Sequence, residues 1–224
     1  MLEKLKWPVL SFLGSLLFWA FTYGSFIAAA VLMTVILIHE MGHYLAARWL
    51  GIKVEPPLFV IIGAFVKFEN DPTTVRDDVI VSIAGPLLGA IAAVVTFVAG
   101  GMMGSPVILA AAKLGFILNL FQLIPVPPLD GGHIARGLDR RLWKVGIVIV
   151  LAYSVYALVY FGNFMPALFV FLFWNQVKAH MEAVERQARE TPWVFRLPAG
   201  EKAGLFALYI LLTVGLIFGV WLTR

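Results

Sequence analysis

The chain has 224 residues, of which 61% are apolar and 13% charged, against roughly 45–50% and roughly 25% in soluble domains. Together with a mean hydropathy of +0.92, this composition excludes a water-soluble enzyme, a disordered chain and a nucleic-acid-binding module, and a membrane protein without a nucleic acid partner is expected. The net charge of +4 is typical of basic loops on the cytoplasmic side of a membrane. Because the chain has no cysteine, metal ligands are restricted to nitrogen and oxygen atoms.

Seven apolar runs are candidate membrane spans, because about 20 helical residues cross a hydrocarbon core of ~30 Å. In chain order they are Pro8–Tyr23, Phe26–Leu50, Val79–Gly100, Val107–Ile124, Val145–Phe161, Met165–Val177 and Gly204–Leu222. The sixth run is the shortest. We therefore predict an all-α multi-pass membrane protein with about six to seven transmembrane helices, forming a single membrane-embedded domain over residues 1–224.

The distribution of Lys and Arg predicts the orientation of these spans. The N-terminus and the stretches 48–76, 136–144 and 178–202 carry nearly all of the basic residues, whereas the loops 24–25, 101–106 and 162–164 carry no charge. Basic loops stay on the cytoplasmic side, which predicts a cell-membrane protein with a cytoplasmic N-terminus. The basic start and apolar run also resemble a signal peptide, but we interpret the first span as a retained helix because no clear cleavage site follows it.

Two further segments differ from the spans. Leu58–Phe68 is rich in β-branched and aromatic residues and too short to cross as a helix, which predicts a re-entrant or interfacial strand, a short β segment. An extended peptide could pair with the edge of that segment. Lys178–Arg189 has an apolar stripe with i,i+4 ion pairs and is followed by Pro192, which predicts a cytoplasmic surface helix.

The second span contains His39-Glu40-Met41-Gly42-His43. Histidines four residues apart lie on one face of a helix, where both rings can bind one zinc ion, and the glutamate of this motif is the general base. Ionisable groups within a span cost about 2.5–3.5 kcal/mol each on insertion scales, so three such neighbours favour a functional site. The alternative is that these side chains only form hydrogen bonds between helices.

A catalytic zinc ion needs a third protein ligand and an open position for water. His133 and His180 are the other histidines, but Asp130 is the better candidate, because it follows the prolines that end the fourth span and precedes Gly131 and Gly132. Those glycines predict a tight turn that presents the carboxylate at the cytoplasmic end of the span. The alternative is an ordinary membrane-exit turn, in which Asp is common.

Three motifs together resemble the site-2 protease family of intramembrane zinc metalloproteases, peptidase family M50. They are His39 to His43, Ile83-Ala84-Gly85-Pro86-Leu87, and the run from Pro125 to Gly132. The resemblance implies a three-helix catalytic core within about 26–145, with accessory helices in 1–25 and 145–224. It implies that His39, His43 and Asp130 bind Zn²⁺, that Glu40 is the catalytic base, and that the site lies near the cytoplasmic face.

The chain departs from this family at one position. Family members often have Phe-Asn-Leu-Ile-Pro before the aspartate turn, whereas this chain has Phe121-Gln122-Leu123-Ile124-Pro125. The asparagine is credited with polar support beside the substrate carbonyl, so Gln122 is a candidate for that role, and Asn119, one turn earlier, is a second candidate. Alternatively, both amides only bond between helices, at around 0.6 kcal/mol each.

The family resemblance implies hydrolysis of peptide bonds within or near transmembrane segments of membrane proteins. The expected partners are a transmembrane protein substrate, the lipid bilayer and a regulatory membrane partner that no residue identifies. The alternative from another class is a membrane zinc transporter, because intramembrane ionisable residues also line permeation pathways. A transporter is expected to carry further metal ligands along the membrane depth. A third alternative is a membrane scaffold without activity, but such a scaffold has no need of Glu40.

Overall fold

The computed structural model describes residues 2–60, 63–67 and 74–224. Most of these residues are helical, and the helices are α1 (Leu2–Tyr23), α2 (Phe26–Trp49), α3 (Val75–Met103), α4 (Pro106–Gln122), α5 (Asp130–Leu138), α6 (Leu142–Phe161), α7 (Met165–Glu190) and α8 (Ala199–Leu222). Two short strands, β1 (Leu58–Val60) and β2 (Gly63–Phe65), follow α2, and a 3-10 helix, Pro192–Phe195, follows α7. The prediction of a helical membrane protein with a short β segment is confirmed in this outline.

The apolar runs of the sequence correspond closely to these helices. In the part of the chain that the structure describes, α2, α3, α6 and α8 are long and apolar enough to cross a membrane, and α4 is a shorter apolar helix of 17 residues. The count of seven spans stays a prediction. The predicted span Met165–Val177 and the predicted surface helix Lys178–Arg189 are not separate elements, because α7 is continuous: neither proline nor glycine interrupts the sequence between Val177 and Glu190. Which part of α7 crosses the membrane stays a prediction.

Specific residues at the helix ends set the limits of α2 and α3. The Ser25 hydroxyl accepts a hydrogen bond from the Ala28 N–H at 3.2 Å, which caps the start of α2. Gly51 (φ 75°) and Gly104 (φ 58°) adopt the left-handed conformation after α2 and α3, where a residue without Cβ is favoured. These local signals stop each helix close to the limit of its apolar run.

The described chain forms two compact units. The first unit comprises Met1–Pro72, Ile83–Phe121 and Leu208–Arg224, and the second comprises Thr73–Ser82 and Gln122–Ala207. In the first unit, α1 packs on α2 and on the strands through a cluster that contains the buried side chains of Leu16, Ala29, Met33 and Phe59. The Phe12 and Phe59 rings meet edge to face with centroids 5.0 Å apart, a favourable geometry for aromatic pairs.

The β segment is a hairpin and not the single strand over Leu58–Phe68 that the sequence predicted. β1 and β2 are antiparallel, with Phe59 opposite Ala64 and Val60 opposite Gly63. Ile61, Ile62 and Phe68 of the predicted strand lie outside the described residues. Folding the segment back on itself pairs backbone groups that a single strand leaves unpaired, a large advantage away from water.

In the second unit, the short helix α5 is held by close backbone packing. A Cβ atom at Gly131 would overlap the carbonyl groups of Leu123 and Ile124, and one at Gly132 would overlap the backbone of Val126 and Pro127. The buried Trp143 of α6 donates its indole N–H to the Gly132 carbonyl at 2.9 Å. The predicted tight turn at these glycines was wrong: they lie in the first turn of a helix, where they allow close contact with the preceding chain.

A polar network in the second unit links the start of α3 to α5 and α7. The buried Asp78 carboxylate lies 3.2 Å from His133 Nδ1 and accepts from the Arg136 guanidinium at 3.4 Å. Arg136 also donates to the Gln187 side chain at 3.2 Å and stacks over the Phe195 ring. Burial alone would lower the pKa of His133, but the hydrogen bond and charge of Asp78 raise it above the ordinary value of 6.5.

This network predicts a pH dependence of stability. Because folding raises the His133 pKa, its stabilising contribution is fully present below the unfolded pKa of about 6.5 and is lost as the pH rises through the folded pKa. We expect the stability of the wild-type protein in detergent micelles to fall over that range, and Asp78→Asn to flatten the fall. Chemical unfolding at a series of pH values measures both slopes. Asp77→Asn is the matched control, because Asp77 bonds to Thr74 instead; equal slopes in all three proteins would contradict the prediction.

Candidate metal centre

The helix α2 places the two histidines of the HExxH motif against each other in the interior of the first unit. His39 and His43 are 2% and 8% exposed. Their Nε2 atoms are 3.1 Å apart, and their rings meet edge to face with centroids 4.8 Å apart. The helical spacing of four residues therefore turns the same nitrogen of each ring toward one point, as the sequence predicted for a shared ion.

The separation of the two nitrogens is compatible with a zinc ion. Zinc binds imidazole nitrogen at about 2.0–2.1 Å in tetrahedral geometry, which places two such nitrogens about 3.3 Å apart. The observed distance between His39 Nε2 and His43 Nε2 is 3.1 Å. A change of a few tenths of an ångström thus converts the present arrangement into the ligand geometry.

The other ring nitrogen of His39 is bound by an amide of α4. His39 Nδ1 lies 2.9 Å from Asn119 Oδ1, and Asn119 Nδ2 donates to the Gly115 carbonyl at 2.8 Å. Asn119 has no exposed surface. The structure therefore brings this candidate residue to one of the predicted histidine ligands, and its support of a substrate carbonyl stays a prediction.

Glycines allow α2, α3 and α4 to approach each other closely at this site. A Cβ at Gly42 would overlap the Ala84 carbonyl, a Cβ at Gly85 would overlap the His43 ring, and a Cβ at Gly89 would overlap the Asn119 carboxamide. These contacts explain why the motif Ile83 to Leu87 accompanies the histidines. Sequence reasoning did not find the contacts, although Gly85 and Gly89 lie four residues apart and thus on one face of α3.

The candidate base Glu40 is also buried in α2, at 6% exposure. It follows His39 directly, and most of the other residues of α2 are apolar. Burial of an ionisable group at this depth has a high free-energy cost. A structural use alone is therefore a poor explanation of its presence.

Asp130 and Gln122 lie in the second unit, where each is half-buried. Asp130 is the first residue of α5, so that its carboxylate lies at the helix N-terminus, where negative charge is favoured. Gln122 is the last residue of α4. His133, left out of the predicted ligand set, contacts Asp78; His180 is exposed, and its ring centroid lies 6.3 Å from that of His133.

Comparison with known proteins supports the resemblance seen in the motifs. Residues 27–106 match the family model of peptidase family M50. A zinc metalloprotease of Methanocaldococcus jannaschii is 29% identical over 134 residues, which are 58% of this chain and 37% of that protein. Rip3 of Mycobacterium tuberculosis, a protein assigned to the zinc metalloproteases, is 30% identical over 124 residues, 52% of this chain and 31% of Rip3. The chain thus spans about a third of the length of these relatives.

A solved structure is also similar to this chain. The site-2 protease from Methanocaldococcus jannaschii has 23% sequence identity and a TM-score of 0.48, with 84% of this chain and 87% of that chain covered. The matched segment of the M50 model contains both histidines and Glu40. With the curated relatives, it shows that this part of the chain is similar to zinc metalloproteases of peptidase family M50.

Proposed function

We propose that this protein is an intramembrane zinc metalloprotease that hydrolyses peptide bonds within or near transmembrane segments of membrane proteins. The observation that carries the proposal is the buried pair of imidazoles in α2, whose Nε2 atoms are 3.1 Å apart. Buried histidines inside a span are costly, and convergent nitrogens are what a shared metal ion requires. The names of the M50 relatives, which are zinc metalloproteases, support the same function.

The proposed ligands are His39, His43 and Asp130. Two imidazole nitrogens and a carboxylate oxygen are a donor set that could hold a metal ion, and three such ligands with an open position are typical of catalytic zinc. When bound, the ion supplies a Lewis acid that lowers the pKa of water toward about 7. The hydrogen bond between His39 Nδ1 and Asn119 holds one ligand ring in place.

In this proposal, Glu40 moves the protons of the reaction. Its carboxylate accepts a proton from the attacking water and then delivers that proton to the nitrogen of the leaving amine. Burial in an apolar helix removes competing water from this carboxylate, which strengthens its electrostatic effect on nearby groups. Gln122, whose side-chain NH₂ is a hydrogen-bond donor, is proposed to support the substrate carbonyl in place of the family asparagine.

The hairpin offers a way to bind an unwound substrate. The Phe59 N–H points away from β2, since it donates to the Ser11 hydroxyl of α1 at 3.1 Å. Phe59 is paired with Ala64, so by the alternation of antiparallel pairs the Ala64 N–H and C=O also point outward, at the other edge of the hairpin. We infer that the substrate peptide adds to this β2 edge through its backbone.

Ala64→Pro tests this substrate pairing. Proline removes the outward N–H but none of the hydrogen bonds between β1 and β2, so cleavage of a transmembrane reporter is expected to slow by about 2- to 12-fold, the ratio that corresponds to about 0.5–1.5 kcal/mol for one hydrogen bond. Ala64→Ser keeps the N–H and is the control. Reporter cleavage in proteoliposomes measures the rates. Equal rates for the proline and serine variants would reject pairing at this edge.

The proposed location is the cell membrane, with the N-terminus and the active site on the cytoplasmic side. The charge distribution supports this orientation, because nearly all Lys and Arg residues lie in stretches predicted to face the cytoplasm. We further propose seven spans, of which α1, α4 and the first half of α7 are the shorter or less apolar ones. The zinc transporter considered as an alternative is not supported, since the matched relatives are named as zinc metalloproteases.

Removal of the metal is the direct test of the function. We expect purified protein in proteoliposomes to cleave a transmembrane reporter, to lose that activity on dialysis against a zinc chelator and to regain it when Zn²⁺ is added back. Zinc content measured beside cleavage links the two quantities. Cleavage that continues in metal-free protein would contradict the proposal, and Zn²⁺ flux into the vesicles without cleavage would favour transport.

A further inference from the structure

We propose that Asn119 is a positioning residue that holds His39 in the one tautomer able to bind a metal through Nε2, and that Gly89 provides the space for this interaction. The inference deepens the proposed function and rests on it for the identity of the metal. The tautomer itself is a property of the metal-free protein. The residues involved are His39 on α2, Gly89 on α3, and Gly115 and Asn119 on α4, all in the first unit.

The orientation of the Asn119 amide follows from its second partner. The backbone carbonyl of Gly115 can only accept a hydrogen bond, so the group 2.8 Å from it must be the Asn119 NH₂. The Asn119 carbonyl oxygen is then the atom 2.9 Å from His39 Nδ1. A flipped amide would set two acceptors against each other at Gly115.

The tautomer of His39 follows from this orientation. An amide oxygen only accepts, so His39 Nδ1 must carry the proton that it donates. A neutral imidazole has one N–H, which leaves the lone pair on Nε2, the nitrogen that faces His43 Nε2 at 3.1 Å. The opposite tautomer would set the Nδ1 lone pair against the Asn119 oxygen and protonate the nitrogen that should bind metal.

Gly89 of α3 leaves the space that the Asn119 carboxamide occupies. A Cβ at Gly89 would overlap the Oδ1, Cγ and Nδ2 atoms of Asn119, so the carboxamide occupies the space that a side chain at residue 89 would need. Asn119 is 0% exposed, and a peptide carbonyl therefore cannot reach its amide in this conformation. These observations favour a role through His39 over direct support of the substrate.

Two pairs of variants test the inference. Asn119→Leu keeps the approximate size but removes the acceptor, and Asn175→Leu, at an exposed position of α7, is its control. Gly89→Ala displaces the amide without changing it, and Gly101→Ala, on the same helix with open space around it, is its control. Asn119→Asp retains an oxygen acceptor for His39 Nδ1 at the same reach but loses the donor to the Gly115 carbonyl, so it separates the effect of the acceptor from that of the donor.

The measurements are the ¹⁵N chemical shifts of the histidine ring nitrogens in metal-free protein in micelles, and the affinity for Zn²⁺ in competition with a chelator. We expect Asn119→Leu and Gly89→Ala to reveal His39 protonated on Nε2 and to weaken Zn²⁺ binding by about 10- to 100-fold, the usual effect of removing a partner of a metal ligand. Asn119→Asp should retain the wild-type tautomer, because its carboxylate still accepts from His39 Nδ1. Both controls should retain the wild-type tautomer and the wild-type affinity for Zn²⁺.

Several results would overturn the inference. One is that Asn119→Leu retains the wild-type His39 tautomer and the wild-type Zn²⁺ affinity. Another is that it loses Zn²⁺ affinity without any change of tautomer, which would indicate a merely structural role of Asn119. If Asn119→Leu does not fold, Gly89→Ala and Asn119→Asp decide by the same two measurements. Failure of the proposed function is distinct, because wild-type protein would then bind no Zn²⁺ while the ring shifts of metal-free protein still decide the tautomer.

Discussion

Replacing Glu40 by glutamine is expected to slow cleavage of a transmembrane reporter by about 10²- to 10⁴-fold, the contribution typical of a general base, and to leave the zinc content unchanged. Glutamine has nearly the same size as glutamate, but its amide cannot accept a proton from water at neutral pH. The metal should remain, because the proposed ligands are His39, His43 and Asp130. Cleavage rates in proteoliposomes and metal analysis of the same preparations measure the two quantities.

Glu182→Gln, at an exposed position of α7, is the matched control for this substitution. This variant makes the same change from carboxylate to amide at a residue outside the first unit, and its cleavage rate should equal that of wild type. Two results would contradict the assignment of Glu40. Unchanged cleavage in Glu40→Gln would exclude it as the base, and loss of zinc from that variant would show that the carboxylate is a ligand.

Replacing Asp130 by alanine is expected to weaken zinc binding by more than about 100-fold, beyond the 10- to 100-fold effect of losing a partner of a ligand. The reason is that alanine removes one of the three proposed ligands and leaves only the two imidazoles of α2. Cleavage should be lost in parallel. Titration of purified protein with Zn²⁺ in the presence of a competing chelator measures the affinity.

Asp139→Ala is the control for this second substitution, since Asp139 is the exposed residue that follows the other end of α5. We expect its zinc affinity to match wild type. If Asp130→Ala binds zinc as tightly as this control, the third ligand is another group. A stability measurement on both variants separates a lost ligand from a disturbed α5 helix.

The apolar helices were predictable because hydropathy and length suffice to indicate a membrane helix. The first and last residues of the runs in α1, α2 and α6 lie within a few residues of the helix ends, except at the start of α1. The pairing of His39 and His43 was equally predictable, because a spacing of four residues places two side chains on one helical face. In both cases the information is local in the chain.

Other features depend on contacts between distant residues and could not be predicted. The hydrogen bond from His39 to Asn119 joins residues 80 positions apart, and that from His133 to Asp78 joins residues 55 positions apart. The glycines before His133 predicted a turn, whereas close contact with the preceding chain places them in α5. A glycine in a sequence is compatible with either use, and only its neighbours in space distinguish them.

The sequence by itself determined that the chain is a helical membrane protein and that its second helix presents two imidazoles on one face, since both follow from composition or from short, local spacing. Only the tertiary structure decided which atom of His39 is bound by Asn119, how closely α3 approaches α2 at Gly42 and Gly85, and that the β segment folds into a hairpin. The physical reason is that tautomers, helix approach and strand pairing depend on partners brought together by packing, and such partners are not encoded by any short stretch of residues.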